Sequence, residues 1–132
     1  DELIAKSGLT RQIGTLAGDY HAVALPDGND AVLLFGVRHQ ERPEAIRELV
    51  RRAYGALAPG GLLYVLDMMT DASRTKPKFS ALFSLNMALT TDHGWVFSED
   101  DLAGWLSESG FRDFSCRPLP PPMPHFLASA RK

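Results

Sequence analysis

The chain has 132 residues, of which 45% are hydrophobic and 23% are charged, and its formal net charge is -2 at pH 7. This composition is typical of one globular domain or a piece of one. The charge gives no electrostatic reason to expect a nucleic-acid or anionic-membrane partner. No apolar run approaches the roughly 20 residues of a membrane span, and no charged-then-apolar leader opens the sequence. We therefore expect a cytoplasmic protein.

The first part of the chain carries short elements. Asp1–Ser7 is typical of the end of a helix, which Gly8 terminates. Arg11–Leu16 is predicted to form a short strand, and Leu25–Asn29 has the composition of a turn. Ala31–Val37 is an apolar run that is predicted to form the next strand.

The central part of the chain is predicted to be a βαβ unit. From Pro43 onward apolar residues recur at helical spacing. Pro59-Gly60-Gly61 ends this helix as a turn before a second apolar run, Leu62–Leu66. Neither run alternates, which is typical of parallel strands covered on both faces, and parallel strands need a helical crossover. The solvent face of the helix is predicted to carry the basic residues Arg47, Arg51 and Arg52.

Two chemically capable residues follow the two central strands. His39 comes after the first strand and Asp67 after the second. In open α/β sheets, ligands bind beyond the carboxyl ends of parallel strands. The functional site is therefore predicted at that edge. A metal site is not predicted, because the four scattered histidines and the single Cys116 lack metal-ligand spacing.

The C-terminal half is predicted to hold two helices and a hairpin. Met68–Lys78 has the composition of a loop. Ser98 is predicted to cap a helix, with Asp101 in the place of the usual capping-box Glu, and Gly110 ends that helix. The other predicted elements are a helix over Phe79–Leu89, strands over Phe111–Leu119 and His125–Ala130, and a rigid turn at Pro120-Pro121-Pro122.

Several of these features occur together, in order and spacing, in one enzyme family. They are Gly18-Asp19-Tyr20, the strand from Asp30 into Arg38-His39, Ala58-Pro59-Gly60-Gly61 before a strand ending in Asp67, Asn86-Met87, and His93-Gly94 through Ser98 to Ser109-Gly110-Phe111. In this the chain resembles the C-terminal part of small-molecule O-methyltransferases, the S-adenosylmethionine-dependent enzymes of plant phenylpropanoid and bacterial natural-product pathways. The resemblance covers nearly the whole chain.

The resemblance implies an α/β fold: a partial Rossmann-like class I methyltransferase sheet with flanking helices and a C-terminal antiparallel hairpin. The chain as a whole, 1–132, would be the C-terminal part of the catalytic domain. The implied reaction transfers a methyl group from S-adenosylmethionine to a hydroxyl of a small aromatic acceptor. The full-length protein would be a homodimer, as its family's N-terminal domain dimerises.

The resemblance also assigns roles to individual residues. Gly18, Asp19 and Tyr20 match the turn that holds the cofactor's adenine, although Asp19 is also explained as a turn-forming residue after glycine. His39 matches the general base, which suits the chemistry, because imidazole near pKa 6.5 can take the proton of a phenol during methyl transfer. Asp67 matches the carboxylate that fixes the tautomer of this histidine, although it is also explained as a cap or turn residue.

Other positions either match the acceptor pocket or depart from the family. Met87, with Phe83 nearby, matches a residue that lines the pocket for the aromatic acceptor, although methionine at helical spacing is equally typical of a core. The family's second carboxylate beside the base falls on Val96. The acidic and Trp residues that often follow the catalytic histidine in plant members are replaced by Gln40 and Glu41.

The family's first strands, its glycine-rich cofactor loop and its N-terminal dimerisation domain have no counterpart in these 132 residues. The chain is therefore expected to be a fragment that is inactive alone. A non-catalytic α/β module that serves assembly through an exposed sheet edge is the alternative. The hypothesis that the chain is a nucleotide or nicotinamide enzyme rests on fold alone. The absence of a GxGxxG sequence from the chain counts against it.

Overall fold

The structure, a computed structural model, describes residues 1–36 and 41–132. Its helices are α1 (Glu2–Lys6), α2 (Pro43–Ala56), α3 (Lys78–Thr90) and α4 (Glu99–Glu108), and its strands are β1 (Asn29–Phe35), β2 (Leu57–Asp67), β3 (Arg112–Pro118) and β4 (Phe126–Arg131). The strands form one sheet in the order β1-β2-β4-β3. β1 and β2 are parallel, whereas β4 is antiparallel to β2 and to β3. The predicted βαβ unit and C-terminal hairpin are confirmed.

The core lies between α2, α4 and one face of the sheet. The apolar side of α2 is buried because its residues recur every three or four positions. Across the sheet, Val32 pairs with Leu63 and Leu34 with Val65, and all four side chains belong to the core or pack against it. The core members buried from the two helices are Ile46, Leu49, Val50, Ala53, Ala56, Leu102, Trp105 and Leu106.

The strand predicted over Arg11–Leu16 is wrong. Residues 11 and 12 lie in a turn, in which the backbone N–H groups of Gln12 and Ile13 donate to the carbonyl of Leu9 at 2.8 and 2.9 Å. Ile13 and Leu16 remain exposed. A strand needs a neighbouring strand for its backbone groups, and within the described residues this segment pairs with none.

The second central strand begins earlier than predicted. β2 starts at Leu57, directly after α2, so Pro59-Gly60-Gly61 lies inside the strand and not in a turn before it. Asn29 of β1 pairs with Leu57 of β2, and Ala31 pairs with Leu62. β2 therefore has extra residues between these two pairs, and the register of the two strands shifts there. A side chain at Gly61 would place its Cβ 3.0 Å from the carbonyl oxygens of Ala58 and Asn29. Glycine therefore fits this position without a shift of the neighbouring backbone.

The second face of the sheet is only partly covered. On β1, Leu33 is 58% exposed and Phe35 is 47% exposed, whereas their neighbours Val32 and Leu34 face the core. Both faces of this strand were predicted to be covered, because its sequence is apolar without alternation. Within the described residues, the chain covers one face.

Helix α3 also presents apolar side chains to solvent. Phe79, Leu82, Leu85 and Leu89 are exposed, and Ser80 is fully buried. The helix has 13 residues. Among the residues that the structure describes, no helix combines the length and apolarity needed to cross a membrane.

Helix α4 begins at the predicted capping box. The Ser98 hydroxyl accepts from the backbone N–H of Asp101 at 3.1 Å, and the Asp101 carboxylate accepts from the backbone N–H of Ser98 at 2.8 Å. Two backbone donors of the first turn are thereby satisfied. The same turn is joined to the loop after β2, because the N–H of Glu99 donates to the carbonyl of Thr70.

Replacement of the cap gives a testable stability change. We expect Ser98→Ala to lower the free energy of unfolding by about 1 kcal/mol, because it leaves the N–H of Asp101 without its acceptor. Ser107→Ala, an exposed position of the same helix, is the matched control and should change stability by less than about 0.5 kcal/mol. Urea denaturation measures both, and equal stability of the two variants would show that the cap contributes nothing.

Candidate cofactor and catalytic site

The site is built at the edge of the sheet where β1 and β2 both end. Phe35 pairs with Leu66, and the backbone N–H of Gly36 donates to the carbonyl of Leu66 at 2.9 Å. Asp67 is the last residue of β2 and is 1% exposed. Among its contacts, one carboxylate oxygen accepts from the N–H of Met68 at 2.9 Å. A buried carboxylate therefore lies at the predicted edge.

His39, the predicted base, belongs to residues 37–40 and lies outside the described residues. The residues on either side of this segment are anchored. Gly36 is bonded to β2, and the carbonyl of Glu41 accepts from the indole N–H of Trp95 at 3.0 Å. The Arg42 guanidinium lies 2.7 Å from the His93 ring. Residues 41 and 42, which lead into α2, thus lie against the loop that precedes α4.

The predicted cofactor residues form a tight turn, Gly18–Val23. The backbone N–H groups of Ala22 and Val23 both donate to the carbonyl of Asp19, and the Asp19 carboxylate accepts from the N–H of His21 at 2.9 Å. Gly18 has φ 149°, and a Cβ there would lie 3.3 Å from the Val23 side chain. Glycine suits this position because other residues rarely adopt such a φ.

Arg52 binds the Gly18–Val23 turn to helix α2. Its guanidinium donates to the backbone carbonyls of Tyr20 and Val23, and Arg52 is partly buried. Its prediction as part of a solvent face is wrong. Helical spacing places Arg52 beside Arg51, but the contact that decides its role spans 29 to 32 positions of sequence, so the helical pattern alone gives no signal for it.

Glu41 also binds the Gly18–Val23 turn. Its carboxylate accepts from the Tyr20 hydroxyl and lies 3.1 Å from Nε2 of His21. Partial burial and the neighbouring Glu41 carboxylate raise the pKa of Tyr20 to about 12, so the hydroxyl remains a donor at neutral pH. Tyr20 is 41% exposed. From the sequence alone, Glu41 is only a departure from the family.

The predicted acceptor residues lie together on α3. Phe83 and Met87 are one helical turn apart and partly buried, so they share the side of α3 that faces the protein. Between them, the Ser84 hydroxyl accepts from the backbone N–H of Val96 at 3.1 Å. Val96 is buried and precedes the capping box of α4. This contact places the Phe83 side of α3 next to the segment that holds Trp95.

The structure joins the predicted Gly18–Val23 turn to Glu41 through the Tyr20 hydroxyl, and it joins Glu41 to Trp95. Asp67 ends β2, the strand that pairs with β1. A cavity of about 610 Å³ lies elsewhere, between the loop after β2 and the β3–β4 hairpin, and none of the predicted site residues that the structure describes lines it. Over residues 1–36 and 41–132, no group of three or more His, Cys, Asp or Glu side chains is placed to hold a metal ion.

Comparison with known proteins identifies relatives with this architecture. A family model for the O-methyltransferase domain matches residues 2–112. The chain is 33% identical over 109 residues to 3-hydroxy-5-methyl-1-naphthoate 3-O-methyltransferase of Streptomyces sahachiroi, covering 83% of this chain and 31% of that protein. The chain spans about a third of the length of the curated relatives it matches.

Solved structures give the same fold. An O-methyltransferase family 2 protein of Planctomyces limnophilus in complex with apigenin is 26% identical, with a TM-score of 0.85 over 99% of this chain and 39% of that one. Human N-acetylserotonin methyltransferase in complex with S-adenosylmethionine is 27% identical, with a TM-score of 0.79 over 94% of this chain and 36% of that one. The predicted class I methyltransferase fold is confirmed, and the chain belongs to the O-methyltransferase family.

Proposed function

We propose that the chain is the C-terminal part of the catalytic domain of an enzyme that methylates a hydroxyl of a small aromatic compound with S-adenosylmethionine. The observation that carries this proposal is the Gly18–Val23 turn, which Arg52 of α2 and Glu41 hold through side-chain hydrogen bonds. Family membership supports the reaction. The hydroxynaphthoate in the Streptomyces relative's name and the apigenin bound by the Planctomyces protein support the acceptor class.

In this proposal the Gly18–Val23 turn holds the adenine of the cofactor. A carboxylate accepts hydrogen bonds at both of its oxygens. Asp19 can therefore accept from the N–H of His21, which shapes the turn, and from the amino group of adenine. The Tyr20 ring is partly exposed beside it and offers an apolar face to the base.

Replacement of Asp19 in the full-length protein tests this assignment. We expect Asp19→Ala to weaken binding of S-adenosylhomocysteine by about tenfold, because a hydrogen bond to a charged group is lost, and to leave the acceptor KM nearly unchanged. Asp27→Ala, in the exposed turn before β1, is the control. Calorimetric titration and initial rates measure the two constants. A rise in acceptor KM with unchanged cofactor affinity would place adenine elsewhere.

The chemical step is assigned to His39 and Asp67. The acceptor oxygen attacks the methyl group as the sulfur leaves, so a C–O bond forms, a C–S bond breaks and S-adenosylhomocysteine is released. His39 takes the hydroxyl proton as general base. Asp67 is a buried carboxylate at the end of the neighbouring strand, and it would orient the imidazole and stabilise its charged form. Val96 is apolar, so Asp67 alone of the two expected acids is present to do so.

The acceptor is proposed to lie against α3. Phe83 and Met87 give a partly buried apolar surface on one side of this helix, which suits an aromatic ring. Both side chains lie along the part of α3 whose Ser84 is bonded to Val96. The acceptor would thus be bounded by α3 on one side and by the segment that holds Trp95 on the other.

We propose that the full-length protein has further segments, corresponding to the remaining length of the relatives, and that these segments cover the exposed apolar faces. Leu33 and Phe35 on β1 and Leu82 and Leu85 on α3 are more than a third exposed, and faces of this kind bury themselves against another part of the protein. The additional length would complete the cofactor site and form a homodimer. We therefore expect the 132-residue chain alone to be inactive.

A methyl-transfer assay tests the proposed function. The full-length protein is incubated with methyl-labelled S-adenosylmethionine and a panel of hydroxylated naphthoates and phenols, each paired with its analogue that lacks the hydroxyl. We expect label to enter only compounds with the hydroxyl, as a methyl ether. Absence of transfer to every acceptor, in protein that is folded, would favour the non-catalytic assembly module.

A further inference from the structure

Glu41 occupies an unusual position between two parts of the site. Its carboxylate accepts from the Tyr20 hydroxyl and approaches Nε2 of His21 at 3.1 Å. Its backbone carbonyl accepts from the indole N–H of Trp95 at 3.0 Å. Its side chain is 17% exposed. One residue therefore binds the Gly18–Val23 turn through its side chain and the segment before α4 through its backbone.

The position of Glu41 in the sequence links the Gly18–Val23 turn to the residues that lead into α2. Glu41 is two positions after His39 and two positions before Pro43, the first residue of α2. A displacement of the Gly18–Val23 turn would be transmitted through the carboxylate to the backbone of Glu41. Conversely, loss of the carboxylate would remove one attachment of the turn and leave that of Arg52 on α2.

We propose that Glu41 is a positioning residue that holds the cofactor-binding turn against the segment before α4, so that cofactor affinity and turnover both depend on this side chain. The proposal rests on the proposed function.

The chemistry of the contact supports a permanent attachment. The Tyr20 hydroxyl keeps its proton across the neutral range, since its pKa is raised to about 12, and a hydroxyl that donates to a carboxylate makes a charge-assisted hydrogen bond. The Tyr20 and His21 rings lie 4.2 Å apart, centroid to centroid. The Tyr20 hydroxyl and Nε2 of His21 both contact the Glu41 carboxylate.

The test uses the full-length protein and two readouts, affinity for S-adenosylhomocysteine by calorimetry and kcat at saturating substrates. We expect Glu41→Ala to weaken binding by about tenfold and to lower kcat as well. Glu41→Gln should restore most of both, because the amide oxygen still accepts from Tyr20. Glu48→Ala, an exposed carboxylate on α2 paired with Arg51, is the matched control and should change neither.

Tyr20→Phe provides a second, milder variant that removes one hydroxyl and keeps the ring. If the two side chains act through their shared contact, the Tyr20→Phe, Glu41→Ala double variant should bind no more weakly than Glu41→Ala alone. Additive losses, or unchanged affinity and kcat in Glu41→Ala, would overturn the proposal. If the wild-type protein itself does not bind S-adenosylhomocysteine, the proposed function fails first, and the two failures are thereby distinguished.

Discussion

Replacement of His39 by alanine in the full-length protein is expected to lower kcat by about 10² or more. The imidazole is the proposed acceptor of the phenol proton, and alanine offers no base in its place. Binding of S-adenosylhomocysteine should persist, because the residues assigned to adenine lie on the separate Gly18–Val23 turn.

His125→Ala is the control for this prediction, because His125 precedes β4 and lines the separate cavity beside the hairpin. Its kcat should remain close to that of the wild-type enzyme. An unchanged rate in His39→Ala, with cofactor binding intact, would remove His39 from the mechanism. Equal losses in both histidine variants would point to an indirect effect of mutation.

Asp67→Asn is expected to give the second large effect, a fall in kcat of about tenfold or more. The amide preserves an oxygen that can accept from the N–H of Met68, now 2.9 Å from the carboxylate, so the end of β2 should keep its structure. The asparagine side chain lacks the negative charge that stabilises a protonated imidazole. Because Asp67 is almost fully buried, alanine would add a stability loss that asparagine avoids.

The control is Asp100→Asn, an exposed carboxylate in the first turn of α4, which should leave kcat unchanged. In the variant that combines Asp67→Asn with His39→Ala, the rate should be close to that of His39→Ala alone, because residues acting as a unit are not additive. A fully additive double variant would show that Asp67 acts apart from the base. Thermal unfolding of each variant separates loss of function from loss of fold.

The elements predicted best are those whose determinants are close in sequence. Helix α2 follows from the spacing of its apolar residues after Pro43, and α4 follows from Ser98 and Asp101, whose reciprocal hydrogen bonds join positions three apart. The βαβ unit follows from two apolar runs separated by one helix length. For the two helices, the interactions that decide the structure come from neighbours within a few turns of chain.

The elements predicted wrongly depend on distant partners. Arg11–Leu16 has a strand-like composition, but a strand forms only beside another strand, and β1 pairs with β2 instead. Arg52 looks solvent-facing from its helical position, yet its guanidinium binds two carbonyls on a turn about 30 positions away. The role of Glu41 likewise depends on Tyr20 and Trp95, which helical or strand periodicity does not relate to it.

Only part of the candidate site could be predicted, because some of its contacts join residues that are distant in sequence. The place of Asp67 follows from a general property of parallel sheets, since ligands bind beyond the carboxyl ends of strands. The roles of Gly18, Asp19 and Tyr20 came from family resemblance. Their attachment to α2 and to Glu41 could not be predicted, because it depends on contacts between side chains and backbone groups that are far apart in sequence.

The measurement that tests the central claim most directly is a calorimetric titration of the full-length protein with S-adenosylhomocysteine, repeated with Asp19→Ala. We predict saturable binding with one cofactor per chain in the wild-type protein and binding about tenfold weaker in the variant. Absence of binding by folded wild-type protein, or equal affinity in the two proteins, would contradict the proposal that the Gly18–Val23 turn holds the methyl donor.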